Sequence, residues 1–282
     1  MRFTISSSAL TNKLVALSKV INSKNSLPIL ADFIFEIDNN ILKLTASDSE
    51  NTMKTSLELN ESDSNTTFAI GNHDLLEALK GISEQPITFD VNTQENIAKI
   101  SYQNGLFSLP IDNADEFPVA QEIGAGANVI SISSEVLSEN INRSIFATGQ
   151  DEIRPVMNGI FFDLSPECLS IVATDGHKLV RNKILNINSL TPASFILPKK
   201  PANLLKNVLS KDGGDVVIKF DDRNAEIICG DSIIKCRLIE GRYPNYNSVI
   251  PQSNPNQLCV DRNALLSALI RVQPFANGSS NL

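Results

Sequence analysis

Residues Arg2–Leu14 read RFTISSSALTNKL, and residues Val129–Ile141 read VISISSEVLSENI. In both segments apolar residues first alternate and then recur every three or four positions, which indicates a half-buried strand that runs into a helix. Phe3 and Ile130 are equivalent, and the offset between them is 127 residues (130 minus 3). The chain therefore contains a repeat, and a repeat of this length is one folded unit.

The same offset holds further along the two copies. The segment Ala46–Asp48 (ASD) is matched by Ala173–Asp175 (ATD), again 127 residues later. Near the end of each copy, Glu116–Pro118 (EFP) is matched by Arg242–Pro244 (RYP) at an offset of 126. The two copies therefore differ by small changes in loop length.

A third beginning of the repeat lies at Leu258–Ile270, which reads LCVDRNALLSALI. We expect a strand and a helix there and then an interruption, because only 25 residues run from Leu258 to Leu282 (282 minus 258, plus 1). Gly124–Asn128 and Asn254–Asn256 have the composition of linkers. The predicted organisation is a first domain at 1–123, a linker at 124–128, a second domain at 129–252 and the incomplete start of a third at 253–282.

Each copy is predicted to run strand, helix, strands, helix, strands. Phe33–Ile37 and Ile41–Leu44 flank a turn of Asp and Asn, which tolerate the positive φ of tight turns and indicate a hairpin. Ser7 or Ser8 is expected to cap the first helix. The fold class is α+β, with an antiparallel sheet and two helices in each copy.

Composition excludes several classes of protein. The chain has 282 residues, of which 42% are hydrophobic, so it can bury a sizeable core. No long apolar run predicts a membrane span or a secretory signal, and we expect a cytoplasmic protein. Four widely spaced cysteines and two histidines fit no zinc pattern, so no metal or cofactor is expected. A net charge of −8 excludes a uniformly basic surface but leaves room for a local basic face.

Four segments carry a resemblance to a known family: Leu27–Leu30, Asn158–Phe162, Ala173–Leu179 and Glu240–Tyr246. Through them the chain resembles the bacterial sliding clamps, the beta subunit of DNA polymerase III, over essentially its whole length, with the third clamp domain cut short. The resemblance implies a ring of two three-domain chains, with sheets outside and helices facing a central hole. Such a protein is a non-catalytic processivity factor that encircles double-stranded DNA without reading its sequence.

The resemblance also implies partners: the catalytic subunit of DNA polymerase III, the clamp loader, and other polymerases and repair proteins with clamp-binding motifs. A full-length chain would form a homodimeric ring associated with the nucleoid. Residues expected to face DNA are Lys13, Lys19, Lys24, Arg143, Gln150, Lys199, Lys200, Lys206 and Arg271. The alternative for each charged residue is an ordinary solvated helix surface.

A hydrophobic cleft in the second copy is where the resemblance implies that partner peptides insert. Its expected residues are Met157, Thr174, Gly176, His177, Leu179, Pro244, Ser248 and Val249. Composition alone favours core packing for Met157 and Leu179. Ser248 departs from the family, whose members often have a basic residue there.

Two catalytic hypotheses arise from the carboxylates of the repeat. His177 and Asp175 resemble an acid–base pair on one strand, but no nucleophile motif accompanies them, so a cleft wall is the better interpretation. A repeat-built enzyme could instead pair Asp48 with Asp175, although two Asp residues in one register more simply cap the same turn twice. A different class again is a protein-interaction scaffold that never binds DNA.

Overall fold

The structure is a computed structural model that describes residues 1–22, 25, 27–120, 122–124, 126–209 and 214–276. It divides into two compact units, Met1–Tyr243 and Pro244–Leu282. The first unit contains the first copy and the second copy as far as Tyr243. The domain boundaries inside it stay a prediction.

The elements of the first copy follow the predicted order. They are β1 (Arg2–Ser6), α1 (Ser7–Ser18), β2 (Asp32–Asp38), β3 (Ile41–Ser47), β4 (Asn51–Glu58), β5 (Glu61–Ser62), β6 (Thr66–Gly71), α2 (Asn72–Lys80), β7 (Pro86–Asn92), β8 (Ile97–Tyr102) and β9 (Gly105–Asp112). A short 3-10 helix at Pro28–Ala31 precedes β2.

The second copy repeats this order. Its elements are β10 (Asn128–Ser133), α3 (Ser134–Ser144), β11 (Gly159–Leu164), β12 (Leu169–Thr174), β13 (Leu179–Ile184), β14 (Ala193–Pro198), α4 (Lys199–Val208), β15 (Asp215–Phe220), β16 (Asn224–Cys229) and β17 (Ser232–Arg237). The second unit contributes α5 (Arg262–Val272).

All strand pairs in the described residues are antiparallel, which confirms the predicted fold class. One sheet has the order β10-β15-β16-β17-β4-β3-β2-β6-β9-β8-β7-β1-β5, and a second has the order β13-β12-β11-β14. The larger sheet crosses from one copy to the other where β17 pairs with β4, in the register Ser232↔Thr55 to Cys236↔Asn51. We call this pairing the seam.

The helices pack against the sheets through the apolar positions that the sequence pattern predicted. In α1, Leu10, Leu14 and Leu17 are fully buried. α1 contacts α2, α3 contacts α4, and α1 also contacts α4 across the seam. Stacked rings reinforce each core, with Phe3 on Phe89 at 4.7 Å in the first copy.

The predicted hairpin is confirmed, but the predicted helix cap is wrong. Asn39 and Asn40 have φ of 48° and 63° between β2 and β3. The cap of α1 is Ser6, whose Oγ accepts from the Ala9 amide at 3.1 Å. Ser7 instead donates its hydroxyl to the Ser83 carbonyl, because it is buried beside the loop that precedes β7.

The predicted strand at the start of the third copy is absent from the described residues. Residues 253–260 have no regular structure, whereas the helix is present as α5 and is capped by Asp261. In the complete copies the first strand pairs with β7 or β15. Within 253–276 the structure describes no equivalent partner, and a lone strand cannot satisfy its backbone groups.

Candidate functional site

The turn between β12 and β13 brings together four of the predicted cleft residues. Thr174 ends β12, and its hydroxyl donates to the Lys178 carbonyl at 2.7 Å and accepts from the Gly176 amide at 3.1 Å. Gly176 has φ of +89°, a backbone conformation that favours glycine. Gly176 and His177 are exposed, and Leu179, the first residue of β13, is partly exposed. The turn therefore presents side chains on a rigid backbone.

His177 and Asp175 lie in this turn, not on a strand as expected. Asp175 Oδ1 accepts from the amides of His177 and Lys178, both at 2.9 Å. The hydrogen bond from the Lys178 ammonium has the largest effect on the pKa of Asp175, and those from the two amides add to it. Together they hold this pKa well below its usual range. The Asp175 carboxylate therefore binds the turn amides and Lys178, and it does not orient the His177 imidazole.

Asp48 makes the equivalent turn in the first copy. Its Oδ1 accepts from the amides of Glu50 at 3.1 Å and Asn51 at 2.7 Å. The prediction that Asp48 and Asp175 cap the same turn twice is confirmed.

Met157 belongs to a loop that lies beside the turn. It ends the short 3-10 helix Pro155–Met157, and its carbonyl accepts from the Gly149 amide at 2.7 Å. Arg154, just before that helix, reaches the turn: a Cβ built on Gly176 would lie 3.2 Å from Arg154 Nη1. The loop and the turn therefore form one continuous surface, and Arg154 is a member that the sequence did not indicate.

Tyr243 is a second residue that sequence reasoning missed. Its ring stacks on Phe161 at 4.5 Å with an interplanar angle of 3°. Burial raises the pKa of Tyr243 to about 12, and the backbone of Thr174 partly opposes this shift. The equivalent residue in the first copy is Phe117. The hydroxyl group that Tyr243 has and Phe117 lacks is the difference in sequence that could have indicated this residue.

Three predicted cleft residues lie in the second compact unit. Ser248 and Val249 are in the 3-10 helix Tyr246–Val249, where the Ser248 hydroxyl donates to the Asn245 carbonyl at 2.7 Å. Val249 is 67% exposed, and Pro244 is partly exposed. Their membership of the cleft stays a prediction.

Three predicted DNA-facing lysines surround one recess between α1 and α4. Lys19, Lys199 and Lys200 line it together with Asn203 and Asn207, and its volume is about 430 Å³. Lys19 Nζ donates to Asn207 Oδ1 at 2.6 Å. The recess gathers ammonium groups from both copies, and whether it attracts the phosphates of DNA stays a prediction.

Two of the predicted lysines also join the copies. Lys200 Nζ donates to Asp48 Oδ2 at 2.5 Å and to the Val20 carbonyl at 2.6 Å. Lys13 forms an ion pair with Asp231. Both carboxylates belong to the other copy, so these lysines stabilise the seam whatever else they bind.

The remaining predicted DNA-facing residues are dispersed. Gln150 and Lys206 are exposed, and Arg143 is exposed but paired with Glu139 one turn away. Arg271 is in α5 of the second unit. Lys24 lies outside the described residues. Each assignment to DNA stays a prediction.

The described residues contain neither a cluster of metal ligands nor a membrane-spanning helix. No group of three His, Cys, Asp or Glu side chains there could hold a metal ion. No helix in the same ranges is long and apolar enough to cross a membrane.

Comparisons with known sequences cover both copies. Residues 1–121 match the family described as DNA polymerase III beta subunit, N-terminal domain, and residues 131–245 match its central domain. The beta sliding clamp of Pseudomonas aeruginosa is 26% identical over 278 residues, covering 98% of this chain and 75% of the relative. That of Synechococcus elongatus is 27% identical over 292 residues, covering 100% and 76%.

Solved structures give the same result. The Pseudomonas aeruginosa sliding clamp bound to griselimycin matches with a TM-score of 0.93 at 26% identity, over 99% of this chain and 75% of that one. The beta subunit from Thermotoga maritima matches with a TM-score of 0.85 at 25% identity, over 97% and 74%. With both copies matched by family and by fold, the chain belongs to the DNA polymerase III beta-subunit family, the sliding clamps.

Proposed function

We propose that this chain serves as a DNA sliding clamp, which holds the replicative polymerase on double-stranded DNA and is not itself an enzyme. The observation that carries the proposal is the seam: two copies share one antiparallel sheet, and basic helices from both copies meet beside it. A clamp needs only weak contacts with phosphates, because tight or base-specific contacts would stop it sliding. A protein that works on chromosomal DNA would act in the cytoplasm, at the nucleoid.

Binding to DNA should weaken with salt and should be indifferent to base sequence. For the double variant Lys199→Ala/Lys206→Ala, we expect about tenfold weaker binding of a 30-base-pair duplex at low salt. The slope of log affinity against log salt should fall by about 1 for each phosphate interaction that the substitutions remove. Fluorescence anisotropy at several salt concentrations measures both.

The matched control is Lys99→Ala/Lys183→Ala, which removes the same charge from exposed positions on β8 and β13. It should leave the slope unchanged. Equal weakening in both double variants would mean that net charge alone governs binding. Affinity without any salt dependence would favour the rival function, a protein-interaction scaffold that does not meet DNA.

We further propose that the surface formed by Met157, Thr174, Gly176, His177 and Leu179 is part of a cleft that accepts peptides from polymerases, the clamp loader and repair proteins. Gly176 is exposed beside the Arg154 guanidinium, and Met157 and Leu179 offer partly exposed apolar surface. The family resemblance assigns Pro244, Ser248 and Val249 to the same cleft. Griselimycin, which is bound by the Pseudomonas aeruginosa relative, is the probe.

Leu179→Asp is expected to weaken griselimycin binding at least tenfold, because a ligand that covers position 179 would desolvate the new carboxylate. Isothermal titration calorimetry gives the affinity. Leu185→Asp is the control, since Leu185 is 73% exposed just beyond the same strand. If both variants bind as the parent chain does, the cleft lies elsewhere.

A further inference from the structure

The two copies differ in charge at one equivalent place in the fold. Asp32 and Asp112 in the first copy correspond, at the offset of 127, to Gly159 and Ile239 in the second. Both copies build the same strands around these positions. The fold therefore does not need the two carboxylates, because the second copy forms it without them.

The sheet register places the two carboxylates on one face. Asp32 pairs with Gly71 across β2 and β6, and Ala69 pairs with Asp112 across β6 and β9. Gly71 and Ala69 are two residues apart on one strand, so their partners point to the same side of the sheet. Gly71 has no side chain to fill the space between them. Asp32 and Asp112 therefore face a common pocket.

No cation among the described residues balances these carboxylates. Asp32 is only 9% exposed, and its side chain has no hydrogen bond or ion pair with any described residue. Across the same described ranges, Asp112 and Glu116, which also line the pocket, have none either. Burial raises the pKa of Asp32 to about 6, and the charge of Asp112 adds to the shift. A buried carboxylate without a partner is costly, so the pocket favours a positive ligand.

The surroundings narrow the class of ligand. Among the described residues no three acidic, His or Cys side chains are close enough to hold a metal ion. The pocket has a volume of about 570 Å³, which accommodates a side chain and its neighbours. Leu27, Pro28 and Ile29 form an apolar wall beside the carboxylates, and Leu27 is 47% exposed. A planar guanidinium presents five N–H donors in a fixed fork that can meet two separate carboxylates at once, so it fits this pair better than a compact ammonium, whose three donors share one nitrogen.

We propose that this pocket of the first copy, the Asp32 pocket, binds an arginine side chain of a partner protein, flanked in the partner's sequence by apolar residues that pack on Leu27, Pro28 and Ile29. It is a docking site in addition to the cleft of the second copy. The two carboxylates supply the charge that selects the arginine, and the apolar wall supplies contact area.

The test uses the tripeptide acetyl-Leu-Arg-Leu-amide, added to the full chain and followed by amide chemical shifts in two-dimensional NMR. Its control replaces arginine with citrulline, which has the same shape and no charge. The arginine peptide should shift the amides of Asp32, Asn96 and Asp112, and the citrulline peptide should bind at least fivefold more weakly. Asp32→Asn should weaken the arginine peptide by a similar factor.

Two further variants distinguish binding at the Asp32 pocket from binding elsewhere on the chain. Glu167→Gln, which removes one exposed carboxylate from the turn between β11 and β12, should leave binding unchanged. Leu179→Asp should also leave it unchanged, so failure of the proposed cleft and failure of this pocket are distinguishable. Equal binding of the citrulline peptide, insensitivity to Asp32→Asn, or competition by magnesium ions at the same amides would overturn the proposal.

Discussion

Replacing Gly159 with alanine is expected to lower the free energy of unfolding by about 3 kcal/mol. A Cβ at Gly159 would lie 2.6 Å from the Leu197 carbonyl oxygen, 2.7 Å from Ile196 Cγ2 and 3.0 Å from Ile239 Cδ1. The carbonyl belongs to the backbone of β14, which is paired with β11 and cannot move aside alone. Urea unfolding followed by circular dichroism measures the change.

Gly81→Ala is the matched control for this substitution. Gly81 follows α2, its φ is −86°, and a Cβ built there meets nothing within 4 Å. The control should change stability by less than about 0.5 kcal/mol, and a gain is expected because alanine restricts the unfolded chain. If both variants are destabilised equally, strand packing is not the cause.

Asp32→Asn is expected to raise the free energy of unfolding at pH 7 by about 2 kcal/mol, since an amide of the same shape carries no charge to desolvate. Burial first, and Asp112 second, raise the pKa of Asp32 from its ordinary 3.8 to about 6 in the folded chain. The folded state therefore binds the proton more tightly than the unfolded state. The stabilisation from this proton is present below pH 3.8 and is lost as the pH rises through 6.

The variant and the parent chain should thus have similar stability near pH 4 and diverge towards pH 7. Thermal unfolding across this range gives the difference. Glu167→Gln removes an exposed carboxylate and should not alter the pH dependence of stability. A parent chain that becomes more stable between pH 4 and 6 relative to Asp32→Asn would contradict the raised pKa of Asp32. A stabilising substitution at a binding residue is expected where stability has been given up for function.

Much of the fold could be predicted because patterns among neighbouring residues indicate strands and helices, and here the same patterns occur twice. Alternating and helical periodicity indicated the helices and many of the strands of the two copies, and the offset of 127 carries the strand register as well. The hairpin β8–β9 pairs Tyr102 with Gly105, and β16–β17 pairs Cys229 with Ser232 at the same offset. A pattern repeated in sequence is thus repeated in pairing.

The errors arose where long-range contacts decide the structure. A strand near Leu258 has the right pattern, but a strand exists only with a partner. Asp175 and His177 have strand-like spacing, but hydrogen bonds from two amides make a turn. The seam, with its Lys13–Asp231 pair, joins residues 218 positions apart, and no local pattern indicates such a contact.

The candidate site was predictable in part. Thr174, Gly176, His177 and Leu179 were expected together, and one turn holds them all. Arg154 was missed although it carried a signal, because its equivalent in the first copy is the uncharged Leu27. The Asp32 pocket did carry a signal: comparing the aligned copies for charge would have exposed Asp32 against Gly159.

The position of β13 at the end of the four-stranded sheet has one further consequence. β13 is the equivalent of β4 in the second copy. The outer edge of β4 pairs with β17, whereas no described strand pairs with the outer edge of β13. Such an edge invites indiscriminate pairing and aggregation. Arg181 and Lys183 alternate along β13 and are both exposed. Positively charged side chains along an edge strand are one of the devices by which proteins limit such edge-to-edge pairing.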